Sequence, residues 1–427
     1  MDQNEAPLIE ALAEYHRLDR YGFTPPGHRQ GRGADPRVRE VLGASTFRSD
    51  VLVSGGLDDR TSSGGYLKKA EQLMAEAVGA EQAFFSTCGS SLSVKAAVLA
   101  VAAGKGDLLV SRDAHKSIVA GLVFSGIQPR WIRPRWDPKL HLAHPPSPAD
   151  VEAMWERYPD AAGVLIVSPT PYGTCADIAA IAKICHDRGK PLIVDEAWGA
   201  HLPFHKELPT WAMNAGADIC VVSVHKMGAG FEQGSVYHLQ GDLVDPAHLS
   251  ACADLLMTTS PNAILYSAID GWRRQMVQHG TELLGNALHR ARKLRRDIDQ
   301  LPGIQVLEDE LLAAESSTTW TACRSSWTCQ HWASAATRPP TGCGNTAGST
   351  SASATTAGSW RRCPWPTTTH QPGVCWMGWR PSSRRPRQCP LHRRWHCPHH
   401  PSWNLKQWPC RGTPSSARQR MSRGGMR

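Results

Sequence analysis

The sequence predicts an α/β fold in which a mostly parallel sheet is covered by helices. The first observation is a series of short, nearly continuous apolar runs, which are typical of strands buried on both faces. These runs are 83–87, 108–111, 164–168, 191–195 and 219–224. The second observation is that helical patterns separate the runs, at 66–78, 91–103, 115–124, 148–157 and 177–188. Strands that alternate with helices predict a parallel sheet.

Composition sets the last quarter of the chain apart. Residues 316–427 contain 15 Arg and one Lys but no Asp, Glu, Ile, Phe or Tyr, which gives this part a charge of +16. The whole chain is +9, so residues 1–315 carry −7 and resemble an ordinary acidic enzyme. So few aliphatic residues cannot build a hydrophobic core. We therefore predict that 316–427 is an aberrant basic tail that is disordered, and that deletion of 317–427 improves solubility.

The remaining sequence divides into three parts. We assign 1–60 to an N-terminal segment and 61–261 to a large domain. Residues 262–315, which begin with a long helical pattern after Pro261, form the start of a smaller C-terminal domain.

Three explanations of the tail are open. In the first, arginines with interleaved tryptophans bind nucleic acid, but binding tails draw on a narrower set of residues.

In the second, the tail holds a zinc ion. Candidate ligands are present, although no CxxC pair recurs at finger-like spacing. They are Cys389, His392, His396, Cys397, His399 and His400. A reading-frame shift is the leading hypothesis, since bases that encode 318–323 can read Asp-Asp-Leu-Asp-Arg-Leu one position away. We expect neither a nucleic-acid partner nor a metal.

The N-terminal sequence argues against export. It carries acidic residues where a signal peptide needs basic ones, and the longest apolar run, 96–103, is far too short to span a bilayer. Five scattered cysteines in 1–315 argue against disulfides. We expect a soluble, cytoplasmic enzyme without a membrane partner.

Lys226 stands at the end of a strand with chemically active neighbours. Ser223 and His225 lie beside it, and Gly228 and Gly230 follow, which leaves room for a bulky group against the backbone. A solvated end of the strand is the alternative explanation.

Asp195 ends the preceding strand, where an unpaired carboxylate is costly to bury. It could pair with a protonated pyridine nitrogen, with the small Ala197 making room beneath a flat ring. A carboxylate that caps a helix or turn is the alternative.

Two further strand ends carry polar turns. Gly89, Ser90 and Ser91 open a helix whose amide groups favour a phosphate, although serine is also common as a simple helix cap. His115 opens another helix and could lie over an aromatic ring, or belong to an ordinary polar cluster.

A lysine, an aspartate, a phosphate turn and a histidine at successive strand ends are the set that pyridoxal 5′-phosphate requires. The lysine amine binds the cofactor covalently, and the aspartate keeps the ring nitrogen protonated. Each signal is weak alone, but the combination is specific.

With these motifs the chain resembles the Orn/Lys/Arg decarboxylase family, from about Pro7 to Glu315. Two segments near the N-terminus, 24–29 and 57–59, are similar to the family. The other matching motifs are Gly89-Ser90-Ser91, His115-Lys116-Ser117, Ser168-Pro169-Thr170-Pro171-Tyr172-Gly173, Asp195-Glu196-Ala197, Ser223-Val224-His225-Lys226 and Thr258-Thr259-Ser260-Pro261. Trp198 stands where short-form members often carry histidine, and the tail stands where the family has its C-terminal domain.

The resemblance implies the seven-stranded large domain of pyridoxal-phosphate-dependent transferases and a homodimer or higher assembly. It implies Lys226, Asp195 and His115 as catalytic residues. The cofactor-binding residues that it implies are Gly89, Ser90, Ser91, His115, Ser168, Asp195, Ala197, Ser223, His225 and Lys226.

We therefore expect decarboxylation of arginine, lysine or ornithine to a polyamine-type amine. The alternatives are an aminotransferase of the same fold and an inactive frameshift product.

Overall fold

The computed structural model describes residues 1–52, 57, 65–102, 106–312, 319–320 and 326–329. The helices are α1 (Pro7–Leu18), α2 (Pro36–Leu42), α3 (Ala44–Ser49), α4 (Tyr66–Val78), α5 (Ser90–Val101), α6 (Lys116–Ser125), α7 (Pro148–Arg157), α8 (Ile178–His186), α9 (Val224–Met227), α10 (Pro246–Leu256) and α11 (Ala263–Asp299). The strands are β1 (Gln82–Ser86), β2 (Asp107–Ser111), β3 (Gln128–Ile132), β4 (Trp136–Asp137), β5 (Leu142–Ala143), β6 (Val164–Val167), β7 (Thr174–Cys175), β8 (Leu192–Asp195), β9 (Ile219–Ser223), β10 (Ser235–Leu239), β11 (Ile304–Leu307), β12 (Thr319–Trp320) and β13 (Ser326–Cys329).

Seven strands form the central sheet, in the order β1-β10-β9-β8-β6-β2-β3. The strands β3, β2, β6, β8 and β9 pair in parallel. Strand β10 runs antiparallel to both β9 and β1. The predicted α/β fold with a mostly parallel sheet is confirmed.

Both faces of the sheet are buried, which explains the unbroken apolar runs. Along β8, Val194 belongs to one core cluster and Ile193 to the other, since successive side chains point to opposite faces. Trp155 and Trp211 fill the first cluster. All four residues of β8 are buried, including Asp195 at its end.

Helix α11 is one continuous helix of 37 residues. It begins at Asn262, whose side chain accepts hydrogen bonds from the backbone N–H groups of Ile264 and Leu265. Ile269 and Trp272 are buried, as their helical spacing predicts. The division of the chain at 261/262 stays a prediction.

Two short segments of the predicted tail are strands. Strand β12 pairs with β7, and β13 pairs with β11, both antiparallel. Each of these pairs is a two-stranded sheet of its own. Disorder of the tail as a whole stays a prediction. The rest of 316–427, with its candidate zinc ligands, lies outside the described residues.

In the described part of the chain, no helix combines the length and apolar character that crossing a membrane requires.

Candidate active site

Lys226 lies in the short helix α9, which directly follows β9. The chain after it packs closely, because a Cβ atom at Gly228 would lie 2.6 Å from Val224 O and one at Gly230 would lie 2.8 Å from Val224 Cγ1. These glycines therefore allow the loop to pack on α9. Their role differs from the room for a ligand that the sequence indicated.

Two titratable side chains lie near enough to Lys226 for its charge to act on them. The ammonium group lowers the pKa of both Asp195 and His115 through its charge. Lys226 Nζ also lies 4.5 Å from the centroid of the Trp198 ring. The ends of β8 and β9 and the start of α6 thus meet at one site.

Asp195 is 4% exposed. Burial raises the pKa of its carboxyl group to about 6, although the charge of Lys226 and a hydrogen bond from Ala197 oppose this effect. Ala197 N–H donates to Asp195 Oδ1 over 3.2 Å. Ala197 is itself buried, which suits a small residue beneath a flat group.

Asp113 is a second carboxylate that sequence reasoning did not assign to the site. Burial raises its pKa to about 6, and the negative charge of Asp195 adds to the increase. Ser111 Oγ donates to Asp113 Oδ1. Its position just after β2 is the signal that could have identified it, since ligands of such sheets bind at the carboxyl ends of strands.

The first turn of α5 carries the residues that we predict to bind a phosphate. Gly89 has a φ of 73°, which favours glycine, and no side chain caps the helix that begins at Ser90. Thr87 Oγ1 is buried and makes no hydrogen bond within the described part of the chain. Ser223 Oγ donates to Ser90 Oγ over 2.7 Å. Ser91 follows in the same turn and is half-buried.

His115 is the N-cap residue of α6. Its Nδ1 accepts a hydrogen bond from Ser117 N–H and lies 2.8 Å from Ser117 Oγ. Partial burial lowers its pKa, and the charges of Lys226 and Lys116 lower it further. A neutral imidazole with its proton on Nε2 follows from this arrangement.

Ser168 and His225 hold strand ends and loops in place. Ser168 N–H donates to Asp195 O over 3.2 Å, and Ser168 Oγ accepts from Ala176 N–H over 3.1 Å. His225 Nδ1 donates to Gly234 O over 3.0 Å.

Two cavities, of about 370 and 450 Å³, lie elsewhere, beside α11 and between α4 and β1. In the region that the structure describes, no His, Cys, Asp and Glu side chains group in threes or more to hold a metal ion.

The sequence matches a decarboxylase family model and several proteins named as decarboxylases. The family model described as Orn/Lys/Arg decarboxylase, major domain, matches residues 6–334, which extends past Glu315, where we expected the resemblance to end. An arginine decarboxylase of Bacillus cereus is 36% identical over 318 residues, or 74% of this chain and 69% of that protein. One of Bacillus subtilis is 35% identical over 321 residues, or 75% and 65% of the two chains.

A solved structure shows the same fold. Lysine decarboxylase A of Pseudomonas aeruginosa matches with a TM-score of 0.60 and 25% sequence identity, over 69% of this chain and 43% of that one. This chain thus matches 65 to 69% of the length of those two arginine decarboxylases and under half of the lysine decarboxylase. With a family match over most of the chain and relatives above one third identity, the chain belongs to the Orn/Lys/Arg decarboxylase family.

Proposed function

We propose that this protein decarboxylates a basic amino acid, arginine, lysine or ornithine, with pyridoxal 5′-phosphate as cofactor. The observation that carries the proposal is that Lys226 lies near enough to the buried Asp195, at the carboxyl edge of the sheet, for its charge to oppose the rise that burial causes in the pKa of that carboxyl group. The names of the relatives, arginine and lysine decarboxylases, support the same reaction class. Because the chain matches only part of the length of those proteins, we propose, and do not infer from the match alone, that it carries out the complete reaction.

The residues at the sheet edge fit this cofactor. Its phosphate would bind at the uncapped start of α5, where Thr87 Oγ1 and the hydroxyl groups of Ser90 and Ser91 offer donors. Lys226 would hold the cofactor covalently, and Asp195 would face the ring nitrogen. When bound, pyridoxal phosphate takes up the electrons that are released when a bond at the substrate Cα breaks.

Asp195 would keep a proton on the ring nitrogen. Its buried carboxylate needs a cation, as its raised pKa indicates. A protonated ring nitrogen would supply that cation and form a buried ion pair with Asp195. Removing either partner would leave the other charge buried and unpaired, which has a large free-energy cost.

His115 would cover the face of the ring. Its lowered pKa favours a neutral imidazole at physiological pH, which does not repel a cationic ring. Ala197 would pack beneath the opposite face, and Ser168 and His225 would fix the strand ends that position both sides.

Carbon dioxide release separates this activity from transamination. The protein is incubated with the cofactor and carboxyl-labelled arginine, lysine or ornithine, and both labelled CO₂ and keto acid are measured. We expect CO₂ from at least one substrate, and none from the Lys226→Ala variant, which lacks the amine. Keto acid without CO₂ would identify an aminotransferase, and neither product from folded, cofactor-loaded protein would indicate an inactive chain.

We further propose a cytoplasmic homodimer or larger assembly. Exposed apolar side chains on α6 and α10 support an interface, since Val123 is 73% exposed and Leu255 is 81% exposed. Sedimentation at several protein concentrations tests this, and a monomer at all of them would contradict it.

We also propose that the tail arises from a shifted reading frame. The loss of all acidic residues after Glu315 supports this origin. Sequencing the gene across codons 310 to 320 tests it, and an unbroken frame in independent reads would contradict it.

A further inference from the structure

Trp198 lies beside the lysine of the proposed site. Lys226 Nζ is 4.5 Å from the centroid of the indole ring, a distance at which an ammonium group is attracted to the ring face. Both side chains are half-buried, so solvent ions screen this attraction less than they would at an exposed site.

The turn that carries Trp198 is held firmly. Glu196 N–H donates to Val221 O over 2.9 Å, and Gly199 N–H donates to Glu196 O over 2.7 Å. The buried Glu196 side chain accepts from Ala212 N–H over 3.3 Å. A Cβ atom at Gly199 would lie 2.2 Å from Glu196 Cγ, so the turn requires glycine there. The turn therefore fixes the backbone of Trp198 relative to β9, which carries α9 and Lys226.

Asp195 and His115, on which the charge of Lys226 also acts, have other roles in the proposed function. Under the proposed function Asp195 faces the ring nitrogen, and His115 is a neutral imidazole above the ring. The proposed function assigns Trp198 no role on the cofactor, and Lys226 Nζ lies over its ring. An attraction of this kind shifts an equilibrium by about two- to thirtyfold.

We propose that Trp198 holds the Lys226 side chain while Lys226 is not covalently bound to the cofactor. This inference rests on the proposed function. Lys226 would be released when the substrate nitrogen takes its place on the cofactor, so that one carbon–nitrogen bond breaks as another forms. The substrate ammonium group would give up two protons and the freed Lys226 amine would take up two to become an ammonium group, so the exchange would need no oxidant or reductant. Trp198 keeps the resulting ammonium group beside the site until product release, as a positioning residue.

Nuclear magnetic resonance of the cofactor-free, full-length protein tests the contact directly. Reductive methylation with ¹³C-formaldehyde labels the lysines, and the Lys226→Arg variant assigns the Lys226 signal by its loss. We expect that signal upfield of the other dimethyl-lysine signals, because the indole ring current shields it. In Trp198→Leu the signal should move back among the exposed lysines, and in Trp198→Phe it should stay partly shifted.

Trp136→Leu is the matched control, because it removes a half-exposed tryptophan whose ring contacts His141 edge to face instead. Its Lys226 signal should not move. An unshifted Lys226 signal in the unsubstituted protein, or the same shift in Trp198→Leu, would overturn the proposal. If Trp198→Leu does not fold, Trp198→Phe is compared with the unsubstituted protein. The smaller phenyl ring must reduce the upfield shift of the Lys226 signal if the proposal holds.

The rate of cofactor capture provides a second readout. Stopped-flow absorbance of added pyridoxal phosphate should show capture slowed by about two- to thirtyfold in Trp198→Leu and less in Trp198→Phe. Equal rates in all three proteins would contradict the proposal. The resonance result does not require cofactor binding, so its failure is distinguishable from failure of the proposed function, in which Lys226 captures no cofactor at all.

Discussion

Ser223 Oγ donates a hydrogen bond to Ser90 Oγ over 2.7 Å and so joins two positions that are 133 residues apart in the chain. One serine ends the strand before Lys226, and the other begins the helix whose amides face the proposed phosphate. The bond therefore couples the position of the lysine to that of the phosphate turn.

We expect Ser223→Ala to weaken cofactor binding by about two- to tenfold. One net hydrogen bond contributes about 0.5 to 1.5 kcal/mol. In a double-mutant cycle with Ser90→Ala, the second substitution should reduce the affinity for the cofactor by less than it does alone, because the hydrogen bond between the two serines is already lost. Fluorescence titration with pyridoxal phosphate measures the affinities. Ser125→Ala, which alters a hydroxyl group at the end of α6, is the control. Additive losses would show that the two serines act independently.

Asp195→Asn should lose most turnover, because the ring nitrogen is no longer held protonated. Without cofactor it should instead be more stable at neutral pH. The carboxyl pKa is 3.8 in the unfolded chain and about 6 in the folded one, so its contribution to stability falls as pH rises through that range. At about 1.4 kcal/mol per pKa unit, the variant gains on the order of 2 to 3 kcal/mol at pH 8.

Urea unfolding of the cofactor-free proteins between pH 4 and 8 measures this difference. The difference in unfolding free energy between the two proteins should shrink steadily as pH falls from 8 towards the unfolded-state pKa of 3.8. A difference that does not depend on pH would contradict the assigned role of burial.

Arg273 and Asp270 form a buried pair that anchors the N-terminal segment on α11. The Nη2 and Oδ1 atoms lie 3.0 Å apart with both side chains fully buried, and Asp270 Oδ2 accepts from Leu8 N–H over 2.9 Å. Arg273→Met leaves the carboxylate buried without its cation. We expect a loss of about 3 to 5 kcal/mol in the free energy of unfolding.

The neighbouring Arg274→Met is the matched control for this pair. Arg274 bonds Glu10 near the surface, over 3.1 Å, so its loss should cost at most about 1 kcal/mol. Chemical denaturation measures both variants. Equal effects would show that burial of the Arg273 pair contributes little.

The strands at 319–320 and 326–329 change where the tail should be removed. A chain that ends at Cys329 keeps every described pairing, so its midpoint of thermal unfolding should equal that of the full chain. A chain that ends at Ser316 loses the pairings of β12 and β13. At about 1 kcal/mol for each net hydrogen bond, it should lose about 2 kcal/mol or more. Equal midpoints for the two truncations would show that these strands do not stabilise the fold.

Sequence patterns predicted the parts of the fold where one physical demand dominates. Strands such as β6 and β8 are apolar throughout because both sheet faces are buried. Strand β3 contains Pro129 and Arg130 at the sheet edge, and β10 contains His238, so neither reads as a continuous apolar run.

The candidate site was predictable only in part. Lys226 and Asp195 were marked because each ends a buried strand. Thr87 and Asp113 were missed, and Trp198 was noted only as a departure from the family pattern, since their importance depends on which groups lie near them in space. Spacing along the chain does not reveal that the Thr87 hydroxyl is buried without a hydrogen bond to the described residues, that Asp195 raises the pKa of Asp113, or that Lys226 lies over an indole ring.

Reductive trapping of the cofactor tests the central claim most directly. The protein is loaded with pyridoxal phosphate, reduced with borohydride, digested and mapped by mass spectrometry. The account predicts the phosphopyridoxyl group on the peptide that contains Lys226, and its absence from that peptide in Lys226→Ala. A folded protein that carries the group on a different lysine, or on none, would contradict it.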